Sequence, residues 1–343
     1  MQTILVTGAS GFVAKHLIVQ LLQVGYAVRG TVRGQGKVPG IWSAVSAWAP
    51  GRDDRLTLVD ADLLADEGWA EAMKGVDAVM HVAAAILASE PRDPDVVIRP
   101  AVEGTERVLR FAHGAAVRRV IMTSSIATVG YGHGHERGVR RYTEADCTDL
   151  EGLRWSWAYC IGKTRAERAA WEFARAHDMA LTTIHPGAIL GPATDKDTSI
   201  SLGLVAGLLD GSTPAIARIG FAISDVRDVA ALHLAALEKP ESVGQRYLCT
   251  GPYTTFAQVA EVLRRAYPGY PVTSRVIPDW LIRVIAALGG PARQIINDLG
   301  NEKHFDGSKG EALLGRPYHS VEEAILSAAE SLISLGLVRA KAG

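Results

Sequence analysis

Residues Val6–Ala14 have the sequence VTGASGFVA, and this glycine-containing turn decides the fold class. It follows an apolar run, residues 3–6, that predicts a β-strand. It precedes a helical pattern of apolar residues that stops at Gly25. A second predicted strand, residues 27–32, comes next. This order of elements predicts a βα unit whose helix N-terminus can face a phosphate group.

The small residues of the turn have the spacing G-x-x-G-x-x-A. Gly8 permits the tight turn, Gly11 lets phosphates approach the backbone, and Ala14 allows the helix to pack closely on the strand. A turn without a ligand is the alternative interpretation. The flanking strand and helix favour a nucleotide site over it.

Acidic residues are absent from the first 52 positions of the sequence. Sites that prefer NAD usually place an acid after the second strand, where it bonds the ribose hydroxyls. That position carries Arg33, with Arg29 before it and Lys37 after it. A guanidinium can bind a 2′-phosphate by paired charge-assisted hydrogen bonds. We therefore predict NADP(H), bound by Arg33 and Lys37. Solvated surface charges are the alternative for Arg29 and Lys37.

Strand and helix patterns alternate along the rest of the first half. The predicted strands are residues 56–59, 78–82, 119–123 and 180–184, and the predicted long helices are residues 96–113 and 159–177. This alternation predicts an α/β fold with a doubly wound parallel sheet of the Rossmann type. Ligands bind at the carboxyl ends of such strands. One cleft is therefore expected to collect Gly8, Arg33, Asp62, Ala83 and Ser125.

Tyr159 and Lys163 are four residues apart on a predicted helix, so their side chains share one face. A cation beside a phenol favours the phenolate and lowers the pKa of the tyrosine, which makes it a usable proton donor near neutral pH. Chance also produces this spacing. The pair is significant only because a nucleotide cleft is predicted beside it.

The composition excludes several classes of protein. The chain has 343 residues, 48% hydrophobic and 21% charged, as in an ordinary globular protein. Its net charge of −1 argues against a nucleic-acid partner. We expect no leader segment and no membrane contact, because a strand begins at Thr3 and no apolar run could span a bilayer. Three scattered cysteines argue against disulfides and zinc, so a cytoplasmic protein without a metal is predicted.

The chain resembles the extended short-chain dehydrogenase/reductases over nearly its whole length, most closely the branch of dihydroflavonol, cinnamoyl-CoA and microbial carbonyl reductases. The matching stretches are residues 7–14, 31–33, 62–64, 123–125, 159–163 and 224–230. The resemblance implies an NADP(H)-dependent ketoreductase that transfers a hydride reversibly to a small-molecule ketone or aldehyde. Tyr159 would protonate the alkoxide, Ser125 would bond the same oxygen, and Lys163 would hold the nicotinamide ribose.

Ser125 is preferred over Ser124 because neighbouring strand-end residues point in opposite directions, and because its separation from Tyr159 fits the branch. Pro186 and Gly187 would lie beside the nicotinamide, with the glycine freeing the backbone for close approach. The complete predicted cofactor site comprises Thr7, Gly8, Ser10, Gly11, Phe12, Val13, Arg33, Lys37, Asp62, Leu63, Val82, Ala83, Ala84, Thr123, Tyr159, Lys163, Pro186, Gly187 and Ile189.

An apolar substrate pocket is predicted, which favours an aromatic or aliphatic carbonyl compound over a sugar nucleotide. Its residues follow the strand ends and are Ile86, Leu87, Ile126, Ala127 and Ala188. Cinnamoyl-CoA reductases carry a characteristic stretch around the tyrosine from which Trp157, Ala158 and Ile161 depart, and this argues against thioester reduction. His133 and His135 are interpreted as loop residues without a metal, and Cys160 as a packed thiol.

The C-terminal part is rich in loops and prolines. The predicted nucleotide domain covers residues 1–190 and 221–250, and the predicted substrate lobe covers residues 191–220 and 251–343. The helices at 96–113 and 159–177 could pair with their copies in a homodimer. Three alternative functions remain: a sugar-nucleotide epimerase or dehydratase, a hydroxysteroid-type dehydrogenase, and a non-catalytic NADP-sensing protein. An epimerase or dehydratase normally has an acid after the second strand, and this chain has none there. A non-catalytic NADP-sensing protein would not need the tyrosine–lysine pair.

Overall fold

The computed structural model of the protein describes residues 1–84, 87, 90–133, 138–153, 157–196, 199–288, 296 and 298–340. The first half contains β1 (Thr3–Val6), α1 (Phe12–Val24), β2 (Ala27–Val32), α2 (Val38–Trp48), β3 (Leu56–Asp60), α3 (Trp69–Met73), β4 (Ala78–His81), α4 (Asp95–Gly114), β5 (Arg119–Thr123), β6 (Gly138–Tyr142) and α5 (Ala158–Ala176). The second half contains β7 (Ala180–Pro186), β8 (Ala188–Leu190), α6 (Ile200–Leu209), β9 (Gly220–Asp225), α7 (Val226–Glu238), β10 (Arg246–Cys249), β11 (Tyr253–Thr255), α8 (Phe256–Ala266), α9 (Asp279–Leu288), β12 (Asn301–Phe305), α10 (Ser308–Leu314) and α11 (Val321–Ser334).

Within these residues, seven strands form one parallel sheet in the order β10-β7-β5-β4-β1-β2-β3. The order reverses between β1 and β4, where open α/β sheets bind their ligands. Successive residues of β1 face opposite sides of the sheet. Ile4 and Val6 are buried with residues of α1, whereas Leu5 is buried with residues of α4 and α5. Helices cover both faces, so the predicted doubly wound α/β fold is confirmed.

The boundaries of the local elements follow from the sequence. α1 ends where Gly25 adopts the left-handed conformation, with φ +102, and its N–H donates to the carbonyl oxygens of Leu21 and Leu22. β2 and β5 have the predicted bounds, and α4 and α5 deviate by one residue at each end. These elements have strong local signals, so the sequence alone placed them.

Two strands differ from the expectations. β6 is not among the predicted strands, and it pairs in parallel with β12 from the far end of the chain. Its sequence, GVRRY, does not alternate apolar and polar residues. β9 begins the 221–250 segment of the predicted nucleotide domain and lies between β8 and β11 in a separate three-stranded sheet, whereas β10, from the same segment, joins the main sheet beside β7. The division into two domains stays a prediction.

α4 and α5 pack against each other on one face of the sheet. Gly162 permits this approach, because a Cβ added there would lie 3.3 Å from the Cα of Ile98. Pairing of these helices with a second copy of the chain stays a prediction. Among the described helices, none is both long and apolar enough to cross a membrane.

Candidate active site

The glycine turn is fixed by the neighbouring strands. Gly8 has φ +66, and a Cβ added there would lie 3.0 Å from the Cβ of Ala83, so both conformation and space favour glycine. The N–H of Gly8 donates to the hydroxyl of Thr31 at 2.9 Å. The hydroxyl of Thr7 accepts from the N–H groups of Val82 and Ala83, both at 3.0 Å. The structure thus brings the predicted cofactor residues of β1 and β4 together.

The N-terminus of α1 has the properties of a phosphate site. Gly11 occupies the N-cap position in an extended conformation, and no side chain of the described residues caps the helix there. The N–H groups of a first helical turn have no partner within the helix, and the helix dipole favours an anion beside them. Its first turn also carries no acid. The main chain from Ser10 to Val13 therefore suits a pyrophosphate.

The basic residues near the end of β2 differ in their roles. Arg33 follows β2 directly, is exposed, and has no hydrogen-bond or ion-pair partner among the described residues. Arg29 is not a solvated charge, because its Nη1 donates to the carbonyl oxygens of Ala72 at 3.1 Å and Lys74 at 2.5 Å at the end of α3. Lys37 is exposed at the N-terminus of α2. Arg33 is thus the cation best placed for a 2′-phosphate.

The sequence did not reveal the role of His81, at the end of β4. Its Nδ1 lies 3.0 Å from the hydroxyl of Thr7, and its Nε2 lies 3.2 Å from the hydroxyl of Thr105. Thr105 donates its own hydrogen to the carbonyl oxygen of Ala101, so Nε2 carries the imidazole hydrogen and Thr7 donates to Nδ1. Burial lowers the pKa of His81 to about 3. This neutral histidine orients Thr7 and, through it, the turn.

The two serines after β5 have different partners. The hydroxyl of Ser125 lies near that of Tyr159, whose anion it stabilises, and it accepts from the N–H of Ala127 at 3.1 Å. The hydroxyl of Ser124 donates to Oε2 of Glu167 at 2.5 Å. Of the two, Ser125 is therefore the one directed at Tyr159.

Lys163 lies one turn beyond Tyr159 on α5, and its buried Nζ donates to the carbonyl oxygen of Thr123 at 2.8 Å. Burial lowers the pKa of Lys163 to about 8, and the Glu167 carboxylate opposes this shift. Burial also raises the pKa of Tyr159, although the Ser125 hydrogen bond opposes the shift. The expectation of a lowered tyrosine pKa was wrong for this structure, because desolvation of the phenol outweighs the stabilisation of its anion.

A small cavity lies between the tyrosine–lysine pair and the end of β4. Tyr159, Lys163, His81, Ala83 and Ala84 all line it. The proton-donor candidate therefore lies beside the strand end against which Gly8 packs.

The structure explains the need for glycine at position 187 differently from the prediction. A Cβ added to it would lie 2.0 Å from the carbonyl oxygen of Ala222, and its N–H donates to the hydroxyl of Ser224 at 2.8 Å. The close approach of β9 therefore requires this glycine, independently of a cofactor. Contacts of Pro186, Gly187 and Ile189 with a nicotinamide stay predictions.

Three further predicted cofactor residues bind neighbouring protein groups. The hydroxyl of Thr123 lies 2.7 Å from Nε2 of His233, the carboxylate of Asp62 accepts from the N–H of Leu64 at 2.9 Å, and Leu63 packs on Gly104. These contacts fix the carboxyl ends of β3 and β5. Binding of the cofactor by these residues stays a prediction.

The predicted substrate pocket is only partly assembled. Ala127 is buried in an apolar cluster that Tyr159 borders. Ile126 begins a 3₁₀ turn and packs on a different cluster, around Tyr142. Leu87 is exposed and Ala188 is half-buried in β8. Ile86 lies outside the described residues, as does His135. Of the predicted pocket residues that the structure describes, Ala127 is the one that packs in the cluster beside Tyr159.

His133 and Cys160 were interpreted as a loop residue and a packed thiol, and the structure shows the contacts of both. Nε2 of His133 lies 3.2 Å from the carbonyl oxygen of Val129. Cys160 is buried, its thiol donates to the carbonyl oxygen of Ala127 at 3.2 Å, and burial raises its pKa to about 12. Because the thiolate is the nucleophilic form, Cys160 is a packed thiol and not a nucleophile.

A buried polar network behind the site was not predicted. The Glu167 carboxylate, one turn beyond Lys163, accepts from Nε of Arg246 at 2.9 Å and from Ser124. The K-x-x-x-E spacing places Glu167 on the face of Lys163 and could have indicated it. Arg246, on β10, has no local signal because the sheet brings it there from far along the chain.

Comparisons with known proteins identify the family of the chain. The chain matches the family described as NAD dependent epimerase/dehydratase over residues 4–249. It is 36% identical over 277 residues to cinnamoyl-CoA reductase 1 of Petunia hybrida, covering 80% of each chain. It is 34% identical over 281 residues to dihydroflavonol 4-reductase of Zea mays, covering 80% of this chain and 76% of the relative. The crystal structure of yeast methylglyoxal/isovaleraldehyde reductase Gre2 with NADPH has a TM-score of 0.78 at 26% identity, covering 98% of this chain and 100% of that one.

The protein belongs to the NAD-dependent epimerase/dehydratase family. This confirms the resemblance to the extended short-chain dehydrogenase/reductases, and the named relatives, all reductases, confirm the predicted oxidoreductase class. The NADPH bound in the yeast structure agrees with the cofactor predicted from Arg33.

Proposed function

We propose that the protein is an NADPH-dependent reductase that converts a ketone or aldehyde to the alcohol, with Tyr159 as the proton donor. The proximity of the Ser125 and Tyr159 hydroxyls carries the proposal, because two neighbouring groups of this kind can meet one carbonyl oxygen. Tyr159 and Lys163 line a small cavity together with Ala83, and Ala83 packs against Gly8 of the glycine turn. The acid that an NAD-retaining epimerase would normally have after β2 is replaced by Arg33.

The side chains have complementary tasks in this reaction. NADPH supplies the hydride that adds to the carbonyl carbon. Ser125 donates a hydrogen bond to the carbonyl oxygen and stabilises the negative charge that develops there. Tyr159 donates its phenolic proton to the same oxygen, and its raised pKa keeps the phenol protonated at neutral pH. Lys163 stabilises the phenolate that remains.

The residues around the cavity also support the proposed cofactor. The turn from Gly8 to Val13 would hold the pyrophosphate through its main chain. Arg33, exposed at the end of β2, would bind the 2′-phosphate, with Lys37 as a second cation nearby. Lys163 would donate a hydrogen bond to the nicotinamide ribose, while its hydrogen bond to the carbonyl oxygen of Thr123 holds the ammonium group in position.

An apolar substrate fits the surroundings of Tyr159. Tyr131 and Cys160 are buried in the cluster that Tyr159 borders, and Trp157 packs against it from the N-terminus of α5. The ring centroids of Trp157 and Tyr159 are 5.8 Å apart. We therefore propose a carbonyl compound with an aromatic or aliphatic body as the substrate class.

The test is a panel of aromatic and aliphatic aldehydes and ketones, with oxidation of NADPH followed by its absorbance. The wild type should oxidise NADPH with at least one of them. Tyr159→Phe should lower kcat by about 10²–10⁴-fold, the usual contribution of a positioned general acid. NADPH binding, measured by fluorescence, should change little because the phenol ring is retained.

The matched control is Tyr267→Phe, which removes a hydroxyl from a half-buried tyrosine at the end of α8. This variant should keep the wild-type kcat. The proposal fails if no carbonyl compound supports NADPH oxidation, or if Tyr159→Phe and Tyr267→Phe are equally active.

A further inference from the structure

We infer that Glu167 is a positioning residue of the active site: its buried carboxylate keeps Lys163 charged and fixes the groups behind Ser125. This inference rests on the proposed function, because the charge of Lys163 matters to the reaction only if Tyr159 is the proton donor. Glu167 is directed away from Tyr159 into a set of polar groups. It therefore acts through its neighbours and touches neither the substrate nor the reacting atoms.

The carboxylate of Glu167 is buried and completely engaged. Oε2 accepts from the hydroxyl of Ser124 at 2.5 Å, and Oε1 accepts from Nε of Arg246 at 2.9 Å. The indole N–H of Trp171 donates to Oε1 at 3.3 Å. Burial opposes the ionisation of Glu167, but His185, Arg246 and Ser124 outweigh it and lower the pKa of Glu167, so the carboxylate is ionised at neutral pH. A buried ionised carboxylate is costly unless it is paired in this way.

Arg246 ties the carboxylate to the loop after β6. Its Nη1 donates to the carbonyl oxygens of Glu144 and Asp146, both at 2.7 Å, while its Nε is bonded to Glu167. Its Nη2 lies 3.4 Å from the hydroxyl of Thr128, in the 3₁₀ turn that follows Ser125. One guanidinium thus joins β10, α5, the loop and the turn that carries Ser125.

His185 completes the network from β7. Its Nδ1 lies 3.2 Å from the carbonyl oxygen of Ser125 and 3.1 Å from the hydroxyl of Thr128. Its Nε2 lies 2.8 Å from the hydroxyl of Thr183 and 3.5 Å from Oε1 of Glu167. The carbonyl oxygen of Ser125 can only accept, so Nδ1 carries the hydrogen and Thr183 donates to Nε2. The main chain of Ser125 is therefore held by the shell that Glu167 anchors.

The electrostatic effect on Lys163 follows from this geometry. Burial destabilises the Lys163 ammonium, and Glu167, one helical turn away, is the anion that opposes this effect. The charged or titratable groups facing Glu167 are Lys163 from α5, His185 from β7 and Arg246 from β10. Of these, His185 is neutral, because burial lowers its pKa to about 4. Removal of the Glu167 charge should make Lys163 lose its proton at a lower pH.

The experiment compares Glu167→Gln and Glu167→Asp with the wild type across pH 6–10, as kcat for an active carbonyl compound and as NADPH affinity by fluorescence. In Glu167→Gln, the pH at which kcat and NADPH affinity have fallen by half on the alkaline side (the half-point) should move down by about one pH unit. KM for the carbonyl compound should stay within about twofold of the wild-type value. Glu167→Asp keeps the charge and should keep the half-point. The double variant Glu167→Gln/Arg246→Met leaves no unpaired guanidinium and should show the same shift as Glu167→Gln.

The matched control is Asp228→Asn, another buried carboxylate, which accepts from the N–H of His319 at 2.6 Å and pairs with Arg316 at 2.8 Å. This variant should lose thermal stability without a change in either pH profile. An unchanged half-point in both Glu167→Gln and the double variant overturns the inference. The binding profile does not depend on turnover, so an inactive wild type would refute the reductase and leave the test of Glu167 in force.

Discussion

Arg33→Ala should separate the binding of NADPH from that of NADH. The guanidinium of Arg33 is exposed at the end of β2 and has no hydrogen-bond or ion-pair partner among the described residues, so its removal should change the melting temperature little. Loss of the guanidinium should weaken the binding only of a cofactor that carries a 2′-phosphate. A hydrogen bond to a charged group contributes about 1.5–3 kcal/mol, so Kd for NADPH should rise about 10- to 150-fold.

Fluorescence titration of the variant with NADPH and with NADH measures this difference directly. Kd for NADH should stay within about twofold, because that cofactor has no phosphate on its ribose, and raised salt should reduce the wild-type preference for NADPH. Arg29→Ala is the matched control. It removes a guanidinium from the same strand that bonds the carbonyl oxygens of Ala72 and Lys74. It should lower the melting temperature and leave both Kd values unchanged.

Equal weakening of NADPH and NADH binding by Arg33→Ala would contradict the assignment, as would no weakening of either. In the first case the arginine would support the fold of the site. In the second, the 2′-phosphate would be bound elsewhere.

Two further outcomes are expected. Ser125→Ala should lower kcat by about 10²-fold with KM almost unchanged, because its hydroxyl lies near Tyr159 and would stabilise the developing charge. Steady-state kinetics that show a larger loss in Ser124→Ala would reverse the assignment of the two serines. Acid should unfold the protein: burial lowers the pKa of His81 to about 3 and of His233 to about 4, so the unfolded chain binds more protons below pH 6.5 and stability is lost as pH falls from there towards 4. A melting temperature that stays constant between pH 7 and pH 5 would contradict this expectation.

The part of the site that could be predicted depends on local sequence patterns together with the topology of the parallel sheet. The sequence from Gly8 to Ala14 indicates both the tight turn and the start of the helix that follows it. Once the parallel sheet is inferred, the ends of its strands are known to meet at one edge. That rule predicts one cleft for Gly8, Arg33, Asp62, Ala83 and Ser125, and the structure places Ala83 against Gly8.

The part that could not be predicted depends on contacts between distant segments. β6 forms because β12 lies beside it, and nothing in GVRRY indicates that partner. Gly187 is required by the carbonyl oxygen of Ala222, and Arg246 reaches Glu167 only because β10 is at the sheet edge beside β7. The raised pKa of Tyr159 is likewise a result of burial, which the four-residue spacing to Lys163 does not report.

The most direct measurement of the central claim uses NADPH deuterated at C4 of the nicotinamide, with a carbonyl compound from the panel as substrate. Mass spectrometry of the product should show one deuterium on the carbon that bears the new hydroxyl. Tyr159→Phe should form this product about 10²–10⁴-fold more slowly. An alcohol without the label, or no alcohol while a sugar nucleotide is epimerised with the cofactor unconsumed, would contradict the assignment as a carbonyl reductase.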